Sequence, residues 1–166
     1  IKKYGLHLGN LDTSSAPAKH ARTLTGHLNT FLASMQAYYA GALGVGYINI
    51  LYAPYVEHMG HKEMVQEAQH LIFSCSQSAF SRGGQTLFLD FNVHTGVPEY
   101  MKGIEAIGPG GEPTGRTYGE YEETAQKFLR AMLDVWRAGD EYGHVFAFPK
   151  CDFHINAETF EDPAQL

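Results

Sequence analysis

Asp90 and Asn92 stand two residues apart in the stretch SRGGQTLFLDFNVHTGVPEY, residues 81–100. On an extended chain, alternate positions share one side, so this acid and amide can meet a ligand together. Gln85 opens the same stretch, and Lys150 follows a second apolar run, Val145-Phe146-Ala147-Phe148. On pattern alone, Gln85, Asp90, Asn92 and Lys150 are the candidates for lining a substrate cavity. Lys19, Arg22 and Lys62 form a second set, near the starts of two helical patterns. Cations at helix N-termini suit a phosphate, although the same residues also serve as solvated surface charge. His58-Met59-Gly60-His61 has the spacing of two metal ligands. Gly60 disfavours a continuous helix through the pair and no third ligand stands nearby, which favours a loop before a helix and no metal. Cys75 and Cys151 lie far apart, outside any CxxC pair, and read as buried thiols rather than nucleophiles. Gly83-Gly84 and Gly108–Gly111 match neither a dinucleotide fingerprint nor a P-loop and read as turns or close packing.

The elements that must position these residues follow from periodicity. From Thr86 to Val93, Leu87, Leu89, Phe91 and Val93 alternate with Thr86, Phe88, Asp90 and Asn92, a strand with one apolar and one sparsely polar face. Such a strand suits the inside of a barrel or cleft, or an ordinary amphipathic strand with Asp90 and Asn92 in water. Ser14 or Ser15 is the expected N-cap of a first helix from about Ala18 to Ala42, with Pro17 near its first turn. Its stripe of Leu24, Leu28, Phe31, Leu32, Met35, Tyr38 and Tyr39 is long enough for a core and a partner subunit. Val45–Leu51 reads as a strand or the turn into one, and Ala53-Pro54-Tyr55 as a break. A second helix begins near Gly60-His61 and a third runs from about Tyr118 to Ala138, closed by Gly139. Residues 95–117, dense in Gly and Pro, read as one long loop, and Val145–Phe148 as a strand that Pro149 halts and Phe153–Ile155 continues. Helices and strands alternate, which is α/β.

Composition sets outer limits. The chain has 166 residues, 44% of them hydrophobic and 18% charged, the make-up of a chain with a real core. A formal charge of -6 without a basic patch argues against nucleic acid as a partner. No apolar run approaches the roughly 18 residues of a membrane span, and no signal peptide is visible, from which a cytoplasmic location is expected. The first residue is not Met and the last ones follow closely on a strand-like segment, so the expectation is a piece of a longer protein.

Seven short motifs then fall in a familiar series: Pro17-Ala18-Lys19-His20-Ala21, Tyr39-Ala40-Gly41-Ala42, Tyr52-Ala53-Pro54-Tyr55-Val56, Ser81-Arg82-Gly83-Gly84-Gln85-Thr86, Val97-Pro98-Glu99-Tyr100, Tyr118-Gly119-Glu120-Tyr121 and Phe148-Pro149-Lys150. Their order and spacing resemble the anaerobic (class III) ribonucleoside-triphosphate reductases over nearly the whole chain. The resemblance implies an α/β fold, as a partial segment of the ten-stranded α/β barrel of glycyl radical enzymes, with residues 1–166 a single segment of the catalytic barrel domain. It implies reduction of ribonucleoside triphosphates to deoxyribonucleoside triphosphates. A glycyl radical, installed by a radical S-adenosylmethionine activating enzyme, passes to a finger-loop cysteine, and formate or a thiol closes the cycle. It also implies a homodimer whose interfacial helices bind deoxynucleotide or ATP effectors, which gives Lys19, Arg22 and Lys62 an effector-binding role.

The chain departs from that pattern where the radical would be made. The finger-loop cysteine motif, the glycyl-radical segment, the C-terminal zinc cysteines and an ATP cone are all missing from these residues. The glycyl radical and the zinc would therefore lie outside this segment, and the segment by itself is expected to be inactive. Two other readings stay open: a non-catalytic nucleotide-binding or dimerisation module, and another glycyl radical enzyme related to pyruvate formate-lyase.

Overall fold

The computed structural model describes residues 1–78 and 86–165. In chain order its elements are α1 (Ala21–Gln36), β1 (Leu43–Val45), α2 (Ile48–Val56), α3 (His61–Gln77), β2 (Leu89–His94), α4 (Glu99–Lys102), β3 (Glu105–Ile107), β4 (Pro113–Thr117), α5 (Glu122–Ala138), β5 (Lys150–His154) and α6 (Ala157–Glu161). The α/β expectation holds. β1, β2 and β5 form a parallel sheet with β2 in the middle, and β3 and β4 form a separate antiparallel hairpin. Leu43 pairs with Leu89 and Val45 with Phe91 on one side of β2. Asp90 pairs with Lys150, Asn92 with Asp152 and His94 with His154 on the other. Among the described residues no strand lies outside β1 or β5, so both edges of the sheet are open, as expected of part of a barrel.

The alternation read from β2 is the physical basis of the packing. Leu87, Leu89, Phe91 and Val93 are at most 1% exposed and face a helical layer. The Phe91 ring meets Trp136 of α5 edge-on at 6.4 Å, and α5 packs in turn on α2 and α3. Its face of Ala125, Phe128, Leu129, Met132 and Val135 is buried at the three-and-four spacing the sequence displays. Gly139, at φ 75°, ends α5 by donating its N–H to Val135 O, in a conformation that favours glycine. α3 begins where expected, with Gly60 N–H held by the Glu63 carboxylate at 2.8 Å.

α1 and α3 run in the same direction. Arg22 meets Glu67 and Asn29 meets Ser74, two contacts with the same sequence offset, so both N-termini lie at one end of the helix pair.

Five expectations are corrected. α1 starts at Ala21 with His20 as its N-cap and no side-chain cap, because Ser15 is engaged in a backbone bridge to Leu6. α1 also stops at Gln36, leaving Tyr38 and Tyr39 72% and 59% exposed beyond it. Residues 48–56 are a helix, not a strand and a break. Pro54 lies inside α2, and every residue of α2 except Leu51 is buried. An all-round buried helix has no amphipathic period to read, and packing outweighs the hydrogen bond that proline removes. The presumed loop 95–117 holds α4 and the β3–β4 hairpin over a second small core of Ile50, Ala53, Val97, Met101, Ala106, Tyr118, Tyr121 and Ala125. The last strand is β5, Lys150–His154. Residues 145–148 are irregular, with Val145 86% exposed.

Candidate functional site

β2 and β5 carry their alternate side chains to two different environments. One face is sealed by helices. The other presents Asp90, Asn92 and His94 from β2 beside Lys150, Asp152 and His154 from β5, paired in register. Three residues picked from sequence, Asp90, Asn92 and Lys150, are therefore brought together on one wall. Gln85, with Ser81–Gly84, lies outside the described residues.

Lys150 Nζ stands 3.1 Å from Asp90 Oδ1, with the two side chains 53% and 20% exposed. This oxygen is buried with the ammonium charge beside it, and among the described residues no well-aligned donor completes a hydrogen bond to it. The Asp90 carboxylate, helped by the charge of Asp152, raises the Lys150 ammonium above its usual value. One step along the strands, His154 Nε2 and Asn92 Oδ1 are 2.6 Å apart. Gly44 of β1 leaves room for Asn92: a Cβ there would lie 3.4 Å from its Nδ2.

His94 and His154 stack with ring centroids 4.4 Å apart and planes 14° apart. Tyr47 stacks on the other side of His94 at 4.7 Å and 16°, and its hydroxyl meets that of Tyr100 at 2.7 Å. His94, His154, Thr95, Asn156 and Glu158 contribute to a cavity of about 180 Å³ at the carboxyl ends of the strands, the usual place for a ligand in a parallel sheet. Sequence reading missed both histidines and Tyr47. The signal for His94 was present: the polar alternation of Asp90 and Asn92 continues to it, and Lys150, Asp152 and His154 repeat the same spacing.

Burial, with the His154 imidazole adjoining, pushes His94 down to about 4. The folded state then holds His94 neutral while the unfolded chain binds a proton below about 6.5. Between these values the unfolded state carries more protons, so stability falls as pH drops from about 6.5 towards 4. The His94 share of that loss is on the order of 1–2 kcal/mol after allowance for partial solvation. Urea midpoints across the window should fall less steeply in His94→Gln than in the parent, and equal slopes would exclude His94 as a source.

The cysteines stay away from this wall. Cys75 of α3 is fully buried, and Cys151 pairs with Phe91 on the alternation opposite to Lys150 and Asp152. Burial pushes both thiols up to about 12, with the Asp152 charge adding to Cys151. Neither fits the part of a reactive thiol. At pH 7.5 iodoacetamide should modify the native protein at least about tenfold more slowly than the unfolded chain. Equal rates in mass-spectrometric time courses would refute this.

Lys19, Arg22 and Lys62 are exposed at the shared N-terminal end of α1 and α3, and Arg22 Nη2 lies 3.4 Å from Glu67 Oε1. They are remote in sequence and element from the sheet wall. Of the pair His58 and His61, His61 Nε2 lies 3.0 Å from Asp134 Oδ2 of α5. Among the described residues no three His, Cys, Asp or Glu side chains gather as a metal site would require, and no helix is long and apolar enough to cross a membrane.

Comparison with known proteins gives a consistent answer. The sequence model of the family described as anaerobic ribonucleoside-triphosphate reductase matches residues 1–165. No curated protein sequence matches the chain. Among solved structures, the anaerobic ribonucleotide reductase from Thermotoga maritima with dATP bound in the specificity site is similar at 19% identity and a TM-score of 0.72, over 93% of this chain and 27% of that one. The same organism's enzyme in complex with dATP and CTP is similar at 17% identity and a TM-score of 0.63, over 81% and 23% of the two chains. A third structure, with glycerol in the active site, gives 20% identity and a TM-score of 0.65, over 84% and 23%. The chain thus spans about a quarter of the length of the structures it matches.

Proposed function

Since the chain belongs to the anaerobic ribonucleoside-triphosphate reductase family, we propose that its polar sheet face is part of the wall of a barrel in which ribonucleoside triphosphates are reduced to deoxyribonucleoside triphosphates. The observation that carries this reading is the asymmetry of β2 and β5. One face is sealed by α2 and α5, while the other bears Asp90, Asn92, Lys150 and His154 in adjoining register, with no helix packed over it among the described residues. A parallel sheet is ordinarily covered on both sides, and a polar uncovered face beside two open edges fits the inside of a larger ring of strands. Asp90 Oδ1, buried and without an aligned donor among the described residues, is suited to accept from a ligand hydroxyl. Lys150 can supply positive charge to an oxyanion on the same wall.

The radical parts of the reaction are assigned to other segments of the polypeptide. Neither Cys75 nor Cys151 faces the wall, so the thiols of this chain do not fit the thiyl role, and no step runs through them. The glycyl radical and the zinc belong to the same assignment, while the activating enzyme is a separate partner protein and formate or a thiol is the reductant. The residues present here bind and orient. For Lys19, Arg22 and Lys62 we propose contact with the phosphates of deoxynucleotide or ATP effectors, since all three lie where the N-termini of α1 and α3 come together. A homodimer built on these helices follows from the same reading.

In the full polypeptide that carries this segment, Lys150→Ala and Asp90→Asn should each lower kcat/KM for a ribonucleoside triphosphate by about 10²-fold or more, the scale for losing a charged positioning contact. The triple change of Lys19, Arg22 and Lys62 to Ala should leave the basal rate and abolish its response to effector. If both wall variants kept activity within about threefold of the parent, the wall would not be where substrate sits.

A further inference from the structure

We infer that Tyr47, His94 and His154 form a ring stack that aims one imidazole nitrogen, Nδ1 of His154, at the ribose hydroxyls of a ribonucleotide bound on the polar wall. His154 is the residue that touches the ligand; Tyr47 and His94 are positioning residues. The inference rests on the reading of that wall as a ribonucleotide site.

The tautomer of His154 follows from its neighbour. The amide nitrogen of Asn92 is turned towards Gly44, so its Oδ1 faces the ring at 2.6 Å. An amide oxygen only accepts, so Nε2 of His154 carries the proton and donates it. In the neutral ring Nδ1 is then a bare acceptor, and it has no hydrogen-bond partner among the described residues. An acceptor of this kind suits a hydroxyl proton and does not suit a phosphate oxygen. Four residues back along β5, about 13 Å, Lys150 offers the opposite character. The wall thus has one end for hydroxyls and one for negative charge.

The ring plane is held from behind. His94 is 7% exposed and sandwiched, with Tyr47 at 4.7 Å and His154 at 4.4 Å. Its backbone is fixed too: Asn49 Oδ1 accepts from His94 N and Asn49 Nδ2 donates to His94 O. Tyr47 is the one non-glycine residue with positive φ among those described, at φ 57° and ψ 29°. A left-handed tyrosine is disfavoured, and its conformation places the ring on His94 and its hydroxyl on Tyr100.

The test compares binding of a ribonucleoside triphosphate with that of its 2′,3′-dideoxy analogue to the full polypeptide, by calorimetry. The parent should prefer the ribonucleotide. His154→Gln, which keeps a donor for Asn92 but loses the outward acceptor, should cut that preference about tenfold. His154→Asn, whose oxygen can stand where Nδ1 stood, should keep most of it. Tyr47→Leu should reduce the preference several-fold and Tyr47→Phe, which retains the stack, should restore it, while affinity for the dideoxy analogue stays constant throughout. Unchanged preference in His154→Gln, with Lys150→Ala still weakening both ligands, would overturn the role of His154 and leave the wall standing. If Asp90→Asn and Lys150→Ala left both affinities untouched, the wall and this inference would fall together.

Discussion

Replacing Asn49 by leucine is expected to lower the unfolding free energy by about 3–5 kcal/mol, because it strips partners from several buried backbone groups at once. Asn49 is wholly buried in the first turn of α2. Its Nδ2 donates to His94 O at 2.9 Å and to Ala125 O at 3.2 Å, and its Oδ1 accepts from His94 N at 3.1 Å. One side chain thus ties a helix start to the end of β2 and to the first turns of α5. Leucine of similar size would leave the His94 N–H and carbonyl dry and unpaired, at about 1–3 kcal/mol for each buried group. Urea denaturation of the variant and parent measures the difference directly. A loss below about 1 kcal/mol would mean that water enters and replaces the amide.

Phe128→Ala should be similarly severe, at about 3–5 kcal/mol, with Phe128→Leu costing about 1–1.5 kcal/mol. Phe128 is 0% exposed at the middle of α5, and its ring lies on that of Tyr52 at 5.5 Å with the planes 7° apart. Tyr52 is itself fixed, its hydroxyl 2.9 Å from that of Thr25 in α1. The ring therefore sits where α5, α2 and α1 communicate. Truncation opens a void among side chains that are already anchored and cannot easily collapse into it. Thermal unfolding with matched buffers gives the ranking. Equal stability of the alanine and leucine variants would show that the neighbours do move in.

What could be read in the sequence tracks where a residue's own neighbours decide its state. β2, α3 and α5 were legible because their buried faces repeat at two or at three and four residues, and the residues that pack are those that alternate. α2 was hidden by its success: it is buried nearly all round, and its proline sits in a helix that tertiary contacts hold in place. The β3–β4 hairpin was hidden by Gly and Pro, which mark breaks equally well in loops and in tight antiparallel pairs. At the far end, the aromatic run 145–148 attracted the strand assignment that belongs to Lys150–His154, a segment of mostly polar side chains whose extended form depends on pairing with β2. The wall followed the same logic. Asp90, Asn92 and Lys150 were visible as polar exceptions, whereas His94 and His154 acquire meaning only when two distant strands come into register.

The open flanks of the sheet have a consequence for the chain in solution. β1 and β5 point the same way, so the free side of β5 in one copy can zip onto the free side of β1 in the next and extend the same parallel ribbon. Such head-to-tail joining has no built-in stopping point, and it grows into filaments where its rotation fails to close a ring. In isolation this stretch should therefore turn cloudy as its concentration rises, and covering either rim should keep it clear.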